Sequence, residues 1–157
     1  MNKEYITLQN KLNGAIYTIF TAFKDNLKID YASIEKYIDF LYARKARVFY
    51  VMPYNSRYSQ LREKEIFELN NFCIKKVKSL VGTTIIVSDS IHGPTELKQE
   101  YCLKAKESGV DIFSSICREK YFSNEQILKH YSEMNNCEVP LLVHVMPFLS
   151  GYDVKNM

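Results

Sequence analysis

The chain lacks any long apolar run. No apolar stretch approaches the roughly 20 residues that span a bilayer. The opening residues, MNKEYITLQNKLNG, also lack the apolar core of a secretory signal peptide. We therefore expect no membrane partner and a cytoplasmic location.

Closely spaced cysteines are missing as well. Cys73, Cys102, Cys117 and Cys137 lie far apart, and no Cys-x-x-Cys pair occurs. In a reducing compartment this spacing predicts free thiols at half-buried helix or strand positions. The sequence therefore offers zinc no anchor.

There is no block of charge of one sign, and glycine and proline are few. Twenty-one Lys and Arg against eighteen Asp and Glu give a net charge of +3, spread along helical stretches, so a nucleic-acid partner is not expected. A composition of 46% hydrophobic and 25% charged residues is ordinary for a globular protein with one core. No shift of composition divides the chain, which predicts a single domain over residues 1–157.

Short apolar runs alternate with longer amphipathic stretches, as in βαβ units. The apolar runs predict strands over residues 15–20, 48–52, 84–88, 111–116 and 140–145. Helices are expected to begin at Asp30 as N-cap, to cover residues 62–80, and to begin at Gly93-Pro94 with Gly109 as a left-handed cap. Ser123 and Gln126 form a capping box for another helix, whose apolar stripe is Ile127, Leu128, Tyr131 and Met134.

The predicted strands are nearly continuous in apolar character, which favours a parallel sheet buried on both faces. Both a barrel and a doubly wound sheet have such strands. A flavodoxin-like domain of five strands also fits this chain length, so periodicity leaves the two architectures open.

Four ordered segments resemble the dihydrodipicolinate synthase and N-acetylneuraminate lyase group: GAIYTIFTAF at 14–23, IDYASIEKYIDFLY at 29–42, AKESGVDIF at 105–113 and VPLLVHVMPFLSG at 139–151. The resemblance implies a TIM (β/α)₈ barrel, of which this chain has the N-terminal five βα units. Such a barrel usually needs about 250 residues, so 157 residues do not close one.

The resemblance also implies a class I aldolase or lyase that acts on a pyruvate-type 2-keto acid without a cofactor. In that group the imine-forming lysine lies on the sixth strand, beyond Met157 in this chain. We therefore expect the chain to be inactive alone. Open parallel sheet edges promote association, so a homo-oligomer is expected.

Barrel enzymes carry their chemistry where the strands end. There the chain has a polar set of candidate substrate-binding residues: Thr21, Tyr54, Asn55, Ser56, Arg57, Asp89 and His92. The segment 53–57 replaces the Gly-Thr-Thr-Gly-Glu loop of the group and cannot bind a carboxylate in the same way. Arg57 could bind one bidentately, or be a solvated arginine before a helix.

His144, Arg118 and Lys120 are the candidate catalytic residues. By the resemblance, His144 stands where the group has a proton-shuttling tyrosine, and an ordinary pKa of about 6.5 suits that work. A lone histidine on an apolar strand is also commonly a hydrogen-bonded core residue. Lys120 beside Arg118 could have a lowered pKa and form an imine, although these residues also fit a solvated loop.

Asp89, His92, Glu119 and His144 are suitable types for a divalent metal but lack motif spacing, so no metal site is predicted. His130 is expected to face solvent or the barrel wall. Two other functions stay open: an enzyme of the same fold with altered chemistry, using His144, Arg118 and Lys120 or a metal, and a non-catalytic binding or assembly module.

Overall fold

A computed structural model describes residues 3–90, 92–117 and 122–144. Its centre is one sheet of five parallel strands: β1 (Ile16–Thr18), β2 (Val48–Val51), β3 (Thr84–Ser88), β4 (Ile112–Ser115) and β5 (Leu141–Val143). The strands lie side by side in chain order, β1-β2-β3-β4-β5. A doubly wound sheet reverses its strand order at a switch point, so the flavodoxin-like alternative is wrong.

Each strand from the first to the fourth is followed by a helix. These helices are α2 (Tyr31–Ala43), α3 (Glu63–Lys78), α4 (Thr95–Glu107) and α5 (Asn124–Asn135). A short 3₁₀ turn, Tyr58–Gln60, precedes α3. Among the described residues, no helix is both long and apolar enough to cross a membrane. The predicted bounds agree within a few residues, except that β1 is three residues long where six were expected.

Alternate residues of the strands face two separate apolar cores, because successive side chains of a strand point to opposite faces. The odd-numbered strand residues, such as Phe49, Ile85 and Phe113, pack against the helices in the larger core. The even-numbered ones, Val48, Tyr50, Ile86 and Ile112, form a smaller core on the other face. That second face is the inside of the barrel arc, so the sheet is buried on both sides as expected.

An N-terminal helix, α1 (Lys3–Lys11), precedes β1 and was not predicted. Its Leu8, with the following Leu12, packs against the inner core. Thr7, Leu8 and Lys11 line a cavity with Val110, Asp111 and Pro140. Since β4 and β5 begin at these latter residues, α1 lies across the N-terminal ends of the strands.

The predicted helix caps are confirmed. Asp30 accepts a hydrogen bond from the Ser33 backbone N–H, and Ser123 forms a reciprocal capping box with Gln126. Gly109 has φ of +86° directly after α4, a conformation that glycine adopts without strain. Helices α2, α4 and α5 therefore begin or end at residues whose local chemistry marks a helix terminus.

Two expectations about burial are wrong, and one is narrowed to one of its alternatives. Leu128, expected in the apolar stripe of α5, is 51% exposed, whereas His130 on the same helix faces the barrel wall and not solvent. The four cysteines are free thiols as predicted, but they are fully buried and not half-buried. The inward stripe of α5 is Ile127, His130 and Met134, one polar residue among apolar ones.

Burial in the larger core predicts that replacing Phe49 by alanine lowers the free energy of unfolding much more than replacing Phe20 does. Phe49 is fully buried on β2, and Phe20 is 51% exposed after β1. We expect Phe49→Ala to lower the free energy of unfolding by about 3–5 kcal/mol, since it removes packing and leaves a cavity. Phe20→Ala, the matched control, should change it by less than about 1 kcal/mol. Urea unfolding followed by circular dichroism measures both; equal losses would contradict this core assignment.

Candidate functional site

Polar side chains occupy the last inward position of the strands. Five residues at the C-terminal ends of β1 to β5 form what we call the inner cluster: Thr18, Tyr50, Ser88, Ser114 and His144. Ser88 and Ser114 are direct partners in the register of β3 and β4. The His144 backbone N–H donates to Ser115 O at 3.0 Å, which continues the pairing of β5 with β4. An otherwise apolar interior therefore ends in a polar layer.

Tyr50 connects this layer. Its Oη lies 2.7 Å from Ser114 Oγ and 3.5 Å from His144 Nδ1. Burial raises the pKa of Tyr50, an effect opposed by hydrogen bonds to Ser114 and Ser88. Burial lowers the pKa of His144. Both groups are consequently neutral near pH 7, where a neutral imidazole both donates and accepts a proton.

The segment that follows β2 is fastened to the end of β1 by three hydrogen bonds. Thr21 Oγ1 donates to Ser56 O at 2.6 Å, and Ser56 Oγ donates to Ile19 O at 2.7 Å. Asn55 Nδ2 donates to Thr18 Oγ1 at 3.1 Å. The hydroxyl hydrogens of Thr21 and Ser56, both predicted to bind substrate, are thus used within the protein to hold this loop.

The other two candidates in this segment differ in exposure. Tyr54 is half-buried, while Arg57 is exposed and has φ of +59°, in the left-handed region. This conformation starts the 3₁₀ turn before α3. The predicted contact of Arg57 with a carboxylate therefore stays a prediction.

Asp89 lies on the opposite face of the sheet from the inner cluster. Its Oδ2 accepts a hydrogen bond from Ser115 Oγ at 2.5 Å and lies 3.8 Å from Lys98 Nζ on α4. Lys98 Nζ also donates to Ile116 O at 2.6 Å. Oδ1 of the fully buried Asp89 has no hydrogen-bond partner among the described residues. The carboxyl group braces α4 against β3 and β4, and does not line the barrel interior.

His130 extends this outer network. Its Nδ1 lies 2.9 Å from Thr95 Oγ1, and its Nε2 lies 3.5 Å from Ser115 Oγ. Burial, reinforced by the positive charge of Lys98, lowers the pKa of His130 to about 4. Burial raises the pKa of Asp89 to about 7, although Lys98 and Ser115 oppose the rise. His130 is therefore neutral near pH 7, whereas Asp89 is divided between its neutral and charged forms there.

The structure separates the residues that were weighed as metal ligands. Asp89 faces α4, His144 faces the barrel interior, and His92 is exposed, with its backbone N–H donating to Ser90 Oγ. Among the described residues, no group of three His, Cys, Asp or Glu side chains could hold a metal ion. Arg118, Glu119 and Lys120 lie outside the described residues, so their predicted roles stay predictions.

Tyr50, Ser88 and Ser114 were missed as site residues because they lie within the strands and not after them. The signal that could have found them is the alternation of side chains between the two faces of each strand. Counting back from His144 in steps of two gives Leu142, an inward residue, and the same alternation in β2 to β4 makes Tyr50, Ser88 and Ser114 inward. Polar residues at such positions of a buried strand require partners, which directs attention to the interior.

The outer network predicts two opposite effects of pH on stability. Asp89 has a folded pKa above its ordinary value of 3.8, so the folded state binds more protons and stability falls as pH rises from about 4 to 7. His130 has a folded pKa below its ordinary 6.5, so stability rises from pH 4 to 6.5. The two slopes oppose each other between about pH 4 and 6.5, so we expect stability to rise with pH in Asp89→Asn and to fall with pH in His130→Gln.

Urea unfolding at several pH values measures these slopes, with His92→Gln as the control for an exposed histidine. If Asp89→Asn followed the same pH dependence as the unmodified chain, the buried acid assigned here would be contradicted.

Comparisons with known proteins agree with this architecture. No protein-family model matches the sequence. The 4-hydroxy-tetrahydrodipicolinate synthase of Brachyspira hyodysenteriae is 23% identical over 140 residues, which cover 88% of this chain and 47% of that protein.

Solved structures of the same group share the fold. A prophage protein of the dihydrodipicolinic acid synthase family from E. coli K12, in complex with pyruvate, matches with a TM-score of 0.81 and 18% identity over 91% of this chain and 48% of its own. The dihydrodipicolinate synthase of Bacillus anthracis matches with a TM-score of 0.78 and 21% identity over 90% of this chain and 48% of its own. The chain spans about half the length of these relatives. The resemblance predicted from the sequence is confirmed: this chain matches the N-terminal part of the TIM barrel of the dihydrodipicolinate synthase group.

Proposed function

We propose that the chain is the N-terminal part of a class I aldolase or lyase that acts on a pyruvate-type 2-keto acid. The observation that supports this most is the inner cluster, in which neutral Tyr50 and His144 meet at the C-terminal end of the strands. In barrel enzymes this end carries the chemistry. The E. coli prophage protein, which has the same fold, is in complex with pyruvate, a ligand of the class proposed for this chain.

In this proposal, His144 exchanges protons with the substrate, since a neutral imidazole with a pKa lowered by burial is a base near neutral pH. Asn55 and Thr18, held together at the loop after β2, offer polar contacts to the keto acid. Arg57, with Tyr54 beside it, binds the carboxylate through its planar guanidinium. Arg118 and Lys120, which follow β4 in the sequence, remain candidate catalytic residues in this proposal.

The imine-forming lysine has no counterpart on the five described strands. Lys98 is buried, but it lies on the helix side of the sheet, where Nζ donates to Ile116 O. An amine held in this way cannot attack a carbonyl carbon in the interior. We infer that imine formation uses a lysine on a sixth strand, outside this sequence, and that the chain alone is inactive.

Reductive trapping tests this function. Pyruvate and sodium borohydride are added to this chain and to a longer parent that continues through the sixth strand. We expect the intact mass of the parent to rise by one reduced pyruvate adduct, and that of this chain to stay unchanged. Peptide mapping should place the adduct on the sixth strand. An adduct on Lys120 would instead assign the imine to the loop after β4, and an unlabelled parent would contradict Schiff-base chemistry.

An enzyme of the same fold with altered chemistry is the second candidate. It is favoured by the loop after β2, in which Thr21 and Ser56 donate to backbone carbonyls. Neither hydroxyl hydrogen is free for a carboxylate in that arrangement. An unlabelled parent whose activity on another carbonyl substrate is lost in His144→Gln would support this candidate.

We also propose that copies of the chain associate through the sheet edges. β1 and β5 each have one neighbour in the described sheet, and apolar residues there are exposed: Ile16 by 41% and Val143 by 38%. Unpaired edge strands of this kind form contacts with other chains.

Size-exclusion chromatography with light scattering tests the association. We expect the unmodified chain to elute as an oligomer, and Ile16→Lys to shift it toward the monomer because a charge at the edge opposes strand pairing. Leu103→Lys, at a 46% exposed position on α4, is the matched control and should leave the oligomer intact. A monomer at every concentration would contradict the proposal.

A further inference from the structure

We propose that Tyr50 is a positioning residue for His144, supported by Ser114, and that this chain of hydroxyl groups sets which nitrogen of the imidazole carries the proton. The hydrogen bonding itself is independent of the proposed aldolase function. Only its catalytic consequence depends on that function.

The placement of Tyr50 in the sheet supports this inference. Tyr50 is on β2, Ser114 on β4 and His144 directly after β5, so the phenol side chain extends along the inner face past β3. Its Oη reaches Ser114 at 2.7 Å and His144 Nδ1 at 3.5 Å. A tyrosine ring is long enough to join strands that are not neighbours.

Packing alone does not explain the hydroxyl group. Tyr50 is 6% exposed and belongs to an apolar cluster with Val48, Ile86 and Ile112. Phenylalanine would fill this space without a polar atom, and a buried hydroxyl destabilises the fold unless it is hydrogen-bonded. Ser114 and Ser88, buried on the same inner face, provide partners, and the imidazole provides another.

The hydrogen atoms that link Ser114, Tyr50 and His144 can take two arrangements. In one, Ser114 Oγ donates to Tyr50 Oη, Tyr50 Oη donates to His144 Nδ1, and Nε2 carries the ring proton. In the other, His144 Nδ1 donates to Tyr50 Oη, Tyr50 Oη donates to Ser114 Oγ, and Nε2 is an acceptor. The hydrogen bond at one ring nitrogen thus fixes the role of the other.

Nitrogen NMR of the histidine rings of this protein tests the coupling between Tyr50 and His144. His144 is assigned through the loss of its signals in His144→Gln. We expect Tyr50→Phe to change the Nδ1 and Nε2 shifts of His144, and Ser114→Ala to change them in the same direction by a smaller amount. Tyr17→Phe on β1 is the matched control, since Tyr17 faces the helices and should leave His144 unaffected.

The signals of His130, which depend on packing on the other face of the sheet, report that each variant is folded. Unchanged His144 shifts in folded Tyr50→Phe would overturn the inference. In a longer parent, Tyr50→Phe should lower kcat roughly tenfold or more and displace its pH profile, with KM little changed.

The two proposals fail separately. Shifted His144 signals together with no pyruvate trapping would retain the coupling and reject the aldolase function. Trapping in the parent together with unchanged His144 signals in Tyr50→Phe would retain the aldolase function and reject the coupling.

Discussion

The fold depends on strands that are buried on both faces. Each strand alternates between the helix-facing core and the barrel interior, and register with its parallel neighbour keeps all inward residues at one level. A slip by one residue would place every side chain on the opposite face. The same constraint that builds two cores therefore also collects Thr18, Tyr50, Ser88, Ser114 and His144 in one layer.

Polar groups on the helix side hold the strand ends that carry this layer. Lys98 donates to Ile116 O, Asn70 Nδ2 donates to Ser88 O, and Ser115 donates to Asp89. Ser114 and Ser115 are neighbours that point to opposite faces, so the outer hydrogen bonds restrain the backbone of the inner residues. Buried networks of this kind are rigid when their members are hydrogen-bonded, and rigidity at strand ends favours a defined site geometry.

The sequence predicted the elements well because local signals coincide with them. Asp30, Ser123 with Gln126, and Gly109 each mark a helix end by hydrogen bonding or backbone conformation, which are properties of a few adjacent residues. The barrel arc came from the ordered resemblance, since periodicity fits a doubly wound sheet equally well. Strand order is a long-range property that no local pattern contains.

The candidate site was predicted less completely, for a physical reason. Asp89 was placed in the pocket because it follows β3, but its odd position directs the side chain toward α4 and Lys98. Thr21 and Ser56 were expected to meet a ligand, yet their hydroxyls donate to nearby carbonyls. Tyr50 was counted as strand core. Packing between distant segments decides which face of the sheet a side chain points to and which group it hydrogen-bonds with.

The position of α1 decides which end of the strands is covered. α1 lies across the N-terminal ends of the strands, with Leu8 and the adjacent Leu12 against the inner core. The helix thereby covers the inner core at the N-terminal end of the described strands. Because α1 covers this end, His144 and the rest of the inner cluster lie at the end of the described strands that the helix leaves uncovered.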